Sequence, residues 1–258
     1  MKAVILAGGL GTRLAEETST KPKPMVEIGG KPIIWHIMKT YAHFGINDFV
    51  ICCGYKGYLI KEYFANYFVH SCDVTVDMRE GSVEIINQKS EPWRVTMIDT
   101  GGLTGTAGRL KKVGKYIEED KFCFTYGDGV SDLDIAGLID AHNAGETLVT
   151  VTAVKPPGRY GALCLEANKV ASFKEKADGE DAWISGGYFM CDSRVIDEIG
   201  DKEDSWEEQV LPRLAAQKEL AVYKHNGFWH PMDTLRDKLR LDDMIEKGEA
   251  PWERWKGN

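Results

Sequence analysis

Leu6-Ala-Gly-Gly-Leu-Gly-Thr-Arg-Leu14 sets three glycines and an arginine directly after a short apolar run. Glycine there leaves backbone N–H groups open to close approach by an anion, where a side chain would stand in the way. Arg13 adds a permanent charge and a planar donor fork suited to phosphate oxygens. Two other phosphate-binding patterns fail on spacing. A dinucleotide loop begun at Gly9 and Gly11 needs a third glycine where the chain has Leu14, and no Gly-Lys-Ser/Thr follows to make a P-loop. A glycine turn after a strand is structural about as often as functional, so its companions decide. Downstream lies Lys21-Pro-Lys-Pro-Met25. Its prolines are expected to hold the segment extended and to bar a helix, fixing Lys23 at a defined point.

Composition agrees with a few cations gathered at one place. The 258 residues carry a formal charge of −8, which argues against nucleic-acid binding through a broad basic field. An acidic chain that handles phosphates must concentrate Lys and Arg locally and bring a metal. Six cysteines, Cys52, Cys53, Cys72, Cys123, Cys164 and Cys191, show no CxxC spacing and read as reduced thiols in a cytosolic protein. The N-terminus opens on a strand-like run, without a signal-peptide pattern, and no apolar run reaches membrane-spanning length, so a cytoplasmic location is expected.

The elements that must position these residues follow from periodicity. Lys2-Ala-Val-Ile-Leu-Ala7 and Phe49-Val-Ile-Cys-Cys53 read as buried parallel strands. Between them Ile33, Ile34, Ile37, Met38, Tyr41 and Ala42 form a helical stripe, with Pro32 in the first turn and Gly45 as the stop. Leu59, Ile60, Tyr63, Phe64, Tyr67 and Phe68 predict a second helix. Lys121-Phe-Cys-Phe-Thr-Tyr126 and residues 148–154 continue the strand pattern, with a helix starting at Asp134. Residues 157–190 read as an antiparallel lobe built onto the same sheet, and residues 70–106 are the least regular.

The glycine loop and the Lys21–Met25 segment together resemble the N-terminal signature of the sugar-phosphate nucleotidyltransferases. The resemblance continues, in that family's order, through Tyr126-Gly-Asp-Gly129, Pro157-Gly-Arg-Tyr-Gly161, Phe173-Lys-Glu-Lys176, Ser185-Gly-Gly-Tyr-Phe189 and Phe228-Trp-His-Pro-Met-Asp-Thr234. Val26-Glu-Ile-Gly-Gly-Lys-Pro32 and Pro231-Met-Asp-Thr-Leu-Arg-Asp-Lys238 are most similar to members that use CTP and glucose 1-phosphate. The resemblance implies that Leu6, Ala7, Gly8, Gly9, Leu10, Gly11, Thr12, Arg13 and Lys23 bind the nucleotide, with Thr104, Arg109 and Gly127 beside it. Arg13, Lys23 and Asp128 are the expected catalytic groups. Gly161, Glu175, Lys176, Gly187 and Tyr188 are expected to receive the sugar phosphate, although Ala177 stands where the family usually has proline. A loop aspartate alone is more often a turn or cap residue. Asp128 and Asp233 together would offer the two carboxylates that Mg²⁺ takes alongside phosphate oxygens.

The expected fold is a doubly wound, Rossmann-like α/β mixed sheet with a small antiparallel sugar-binding lobe. Residues 1–258 are read as one domain, with nucleotide binding in about 1–155 and the lobe and a helical part in about 156–258. Ligand is expected at the C-terminal ends of the parallel strands. The implied reaction is attack by a sugar-phosphate oxygen on the α-phosphorus of CTP, giving CDP-glucose for deoxysugar and O-antigen precursors, and expelling pyrophosphate. UTP or dTTP in place of CTP, and a catalytically silent ligand-sensing subunit of the same fold, stay open. A homo-oligomer is expected, with a hexamer as one candidate. His36 and His230 read as structural, and Trp252 and Trp255 as anchors onto this or another subunit.

Overall fold

The computed structural model describes residues 1–256 except 88–89, 157–161, 167–168, 175–182 and 201–204, and gives only the backbone for 162–166 and 169–174. Seven strands form the central sheet: β1 Lys2–Ala7, β2 Asp48–Cys53, β3 Arg94–Asp99, β4 Lys121–Tyr126, β5 Val149–Val154, β6 Ile184–Asp192 and β7 Leu220–His225. Their order is β7-β5-β6-β4-β1-β2-β3. β1 pairs in parallel with β2 and with β4, and β2 with β3. β6 runs against both β4 and β5, while β7 is parallel to β5. The sheet is therefore mixed, as expected. Leaving β1 the chain builds outward through β2 and β3, then returns to place β4 on the other side of β1. That reversal opens a crevice at the carboxyl ends of β1 and β4, where open α/β sheets bind ligands.

β1 is apolar from Ala3 to Ala7 because both of its faces are covered. Ala3, Ile5 and Ala7 pack with α1 (Ile33–His43) and with Ile135 and Leu138 of α4 (Ile135–Asn143). Val4 and Leu6 pack on the opposite face with Leu110 and Val113 of α3 (Thr106–Val113) and with Trp206. Asp134 caps α4 by accepting from Gly137 N at 3.1 Å.

Three expectations change. The second helix stops early: α2 covers Gly57–Ala65, Asn66 interrupts it, and a separate turn spans Tyr67–Ser71. Asparagine competes for local backbone bonds and is a poor interior helix residue, and Phe68 beyond it is left exposed. Residues 70–106 are more regular than their sequence indicated, holding β3 and a hairpin of Asp73–Asp77 with Ser82–Ile86. The lobe after residue 157 contributes the ribbon Ala162–Glu166 with Lys169–Lys174, but β6, its last strand, sits inside the main sheet. No helix among the described residues is long and apolar enough to cross a membrane.

Candidate active site

Asp128 and Asp233 lie far apart in sequence, and a two-stranded ribbon brings them together. Gly129–Ser131 pairs antiparallel with Trp229–Pro231, with Pro231 opposite Gly129, and Met232 N donates to Asp128 O at 2.8 Å. Asp233 then precedes helix α5 (Leu235–Glu246), whose start is locked by a capping box between Thr234 and Asp237. Asp237 Oδ2 accepts from the backbone N–H of Asp233 at 3.1 Å and of Thr234 at 2.9 Å, which fixes where the Asp233 carboxylate stands.

The two carboxylates converge on Lys23. Its Nζ donates to Asp128 Oδ2 at 2.7 Å and to Asp233 Oδ1 at 2.8 Å. Burial alone would push the ammonium down, but Asp128 and Asp233 outweigh it and hold its pKa above the ordinary lysine value. The expected extended segment is instead one 3₁₀ turn, Lys23–Met25, closed by Met25 N to Pro22 O at 2.8 Å. Pro24 fits there because a first turn needs no N–H from that position. Arg13 reaches the same cluster, with Nη1 at 3.0 Å from Asp233 Oδ2.

Two cavities meet at this cluster. The larger, about 640 Å³, is lined by Leu6, Ala7 and residues 8–13, by Lys23, Gly127 and Asp128, and by residues 102–106 and Arg109. Every nucleotide-side residue expected from the sequence is on its wall. Gly11 adopts φ +65°, open to glycine at no steric cost, and the turn closes through Leu14 N to Gly11 O at 3.0 Å. Arg109 lines the cavity but spends its guanidinium on the protein. It donates to Gly8 O at 3.0 Å, Gly102 O at 3.2 Å and Thr100 Oγ1 at 2.7 Å, tying the glycine loop to the loop before α3. Burial lowers its pKa. Thr104 donates to Thr100 O at 2.6 Å in the same loop.

The second cavity, about 380 Å³, shares Arg13, Tyr126 and Asp128 with the first, and adds Gly187, Tyr188 and Asp233. Tyr188 is buried and donates to Gly129 O at 2.8 Å, while Trp229 Nε1 donates to Gly186 O at 2.7 Å. Gly161, Glu175 and Lys176 lie outside the described residues. The cluster of Lys23, Asp128 and Asp233 thus stands where a group in one cavity meets a group in the other.

His36 is structural, as expected. Its Nε2 contacts Ile28 O at 2.9 Å and its Nδ1 accepts from Trp252 Nε1 at 3.3 Å. Burial lowers its pKa to about 4. Trp252 is fully buried and Trp255 packs on Trp35, so both anchor onto this chain. His230 is buried within the ribbon, opposite Val130, with Nδ1 at 2.8 Å from Pro231 O. Sequence reasoning gave no role to Tyr126 and Glu207, which line the larger cavity, nor to Gly54, which packs against Gly8 and Arg109. Ser205 followed three residues later by Glu208 is a cap signal for the segment holding Glu207, but nothing in it marks a cavity wall.

The glycine loop lies at a strand-order reversal beside a lysine paired with two carboxylates, and residues 2–245 match the Nucleotidyl transferase family. The chain belongs to that family. The glucose-1-phosphate cytidylyltransferases of Salmonella typhi and Salmonella typhimurium are each 59% identical to it over 256 residues, covering 99% of this chain and 100% of theirs. Among solved structures, HddC from Yersinia pseudotuberculosis superposes with a TM-score of 0.69 at 25% identity, covering 95% of this chain and 99% of that one.

Proposed function

We propose that this chain transfers CMP from CTP to α-D-glucose 1-phosphate, forming CDP-glucose and pyrophosphate. The observation that carries the reading is the cluster of Arg13, Lys23, Asp128 and Asp233 at the junction of two cavities. The Salmonella relatives supply the substrate pair by name. In this reading the backbone of residues 8–13 cradles the triphosphate and Lys23 holds the α-phosphate. A sugar-phosphate oxygen from the smaller cavity attacks the α-phosphorus, and the bond to the β-phosphate breaks as pyrophosphate leaves. Arg13 neutralises charge growing on that leaving group. No protein nucleophile is needed, since positioning and charge stabilisation supply most of such catalysis.

Asp128 and Asp233 would hold Mg²⁺. Their carboxylates already converge on one cation, Lys23 Nζ, and two carboxylates completed by phosphate oxygens and water suit magnesium. When bound, the ion would add positive charge at the reacting phosphate oxygens. Gly187 and Tyr188 would wall the sugar, and Gly161, Glu175 and Lys176 would complete its site. The test is pyrophosphate release across a matrix of nucleoside triphosphates and hexose 1-phosphates. Highest kcat/KM for CTP with glucose 1-phosphate is expected; a preference for another pair would overturn the substrate assignment.

We also infer a homo-oligomer. The hairpin Asp73–Asp77 with Ser82–Ile86 exposes Val76, Met78, Val83, Ile85 and Ile86, and an isolated two-stranded hairpin is marginal in water. A second copy of the chain is the natural cover. Light scattering on Val83→Asp should show a smaller species than wild type; a monomeric wild type would refute the inference.

A further inference from the structure

The larger cavity is chemically divided. Arg13, Lys23 and the open backbone of residues 8–13 form one half, the half assigned above to the triphosphate. The rest of its wall includes residues 102–106 and Glu207, which accepts from Thr106 Oγ1. Arg109 also lines the cavity, but its donors go to Gly8, Gly102 and Thr100. Glu207 is therefore the charged side chain this wall can offer a ligand. Its sign turns phosphate away and favours a group that carries hydrogen-bond donors.

Two further features say what kind of group. Leu10 is 49% exposed and Leu103 95% exposed, and both line the cavity. Apolar side chains left on an open wall bury area when a flat heterocycle packs on them. Glu207 is also held in place. One carboxylate oxygen accepts from Tyr126 OH, and the other from Thr106 Oγ1 at 2.7 Å and Ser205 Oγ at 3.2 Å. Thr106 Oγ1 in turn accepts from Trp206 N at 2.9 Å, which pins the carboxylate between the end of β4 and the start of α3. A carboxylate has about four acceptor positions. These three bonds leave room for one more donor.

We propose that Glu207 reads the nucleotide base, accepting a hydrogen bond from an exocyclic amine such as N4 of cytosine. Uracil and thymine present a carbonyl oxygen at that position, which the carboxylate repels. The proposal rests on the CTP reading above. Ribose hydroxyls are the other donors a nucleotide brings to this wall, and deoxynucleotides separate the two sources.

The experiment is steady-state kinetics of wild type and Glu207→Gln with CTP, UTP, 2′-deoxy-CTP and 3′-deoxy-CTP. The ratio of kcat/KM for CTP over UTP should fall by about tenfold or more in the variant, the loss expected for one charged hydrogen bond. The deoxy-CTP substrates should show the same loss, and KM for glucose 1-phosphate should stay at the wild-type value. Equal loss on CTP and UTP would make Glu207 a structural tie and overturn the proposal. Disappearance of the effect with either deoxy analogue would assign the contact to ribose and overturn it as well. Wild-type preference for CTP tests the substrate reading, whereas the change in that preference tests Glu207, so one can fail while the other stands.

Discussion

Arg13→Ala separates a role in the transition state from a role in holding the fold together. The Arg13 side chain is 76% exposed, and its ion pair to Asp233 at 3.0 Å is the bond it makes within the cluster. Exposed pairs of this kind contribute about 0–1 kcal/mol once solvent screening is counted. The unfolding midpoint in urea should therefore barely move. Catalysis should respond far more, because Arg13 lines both cavities and, in the proposed reaction, would neutralise charge on the leaving pyrophosphate. Loss of one preorganised donor costs about two to three orders of magnitude in kcat, roughly 3–4 kcal/mol. CTP binding should persist, since the backbone donors of residues 8–13 remain. Arg13→Lys should recover only part, because an ammonium keeps the charge and loses the planar fork. Steady-state kinetics at saturating Mg²⁺ and urea titration on the same preparations decide it. A rise in KM for CTP with kcat unchanged would refute the reasoning, as would a large loss of stability.

Asp128→Asn and Asp233→Asn should each fold and lose turnover by orders of magnitude, since each removes charge at the point on which Lys23 converges; near-normal turnover of either at saturating Mg²⁺ would end the shared-site assignment. Gly54→Ala should raise KM for CTP and cost about 1–3 kcal/mol of stability, because an added Cβ would stand 2.6 Å from Gly8 O and 2.4 Å from Arg109 Nη1; wild-type values for both in the variant would show that the glycine loop tolerates displacement. His36, buried and neutral with a pKa near 4 against 6.5 when free, contributes no penalty above pH 6.5. Its stability contribution falls by about 3 kcal/mol as pH drops from 6.5 to 4, where the unfolded chain takes up a proton that the folded one refuses. Urea titrations of wild type and His36→Gln across that window should differ in slope, and parallel curves would contradict the assignment.

How much of this was legible beforehand depended on whether the signal was local. β1, β2 and β4 were readable because strands covered on both faces are apolar throughout, and α1 because its stripe, proline and glycine agree. β3 was not, since an edge strand with half-buried residues such as Val95 and Met97 lacks either clean pattern. The residues of the nucleotide cavity could be named from motifs that resemble a known family. Their division of labour could not. Arg109 belongs to that set, yet only the fold shows that its donors go to backbone carbonyls. Gly54 and Glu207 carry no motif at all; one matters through close approach to Gly8, the other through a wall contributed late in the chain.

The charge balance of the cluster resolves how an acidic protein handles phosphates. Arg13 and Lys23 contribute two positive charges and Asp128 and Asp233 two negative ones, so the four groups sum to zero. A neutral cluster has two consequences. It can be half-buried without the desolvation cost of an unpaired charge, which is why Lys23 sits with its side chain only 12% exposed. It also gives no net attraction for a triphosphate from its side chains alone, so in the proposed reaction the pull would come from backbone N–H groups and from a cation that accompanies the nucleotide. The glycines of residues 8–13 supply the first, and the paired aspartates suit the second. In the proposed reaction the chain's net charge of −8 would then be no obstacle, because the attraction would be built from local dipoles and an accompanying cation rather than from a basic surface.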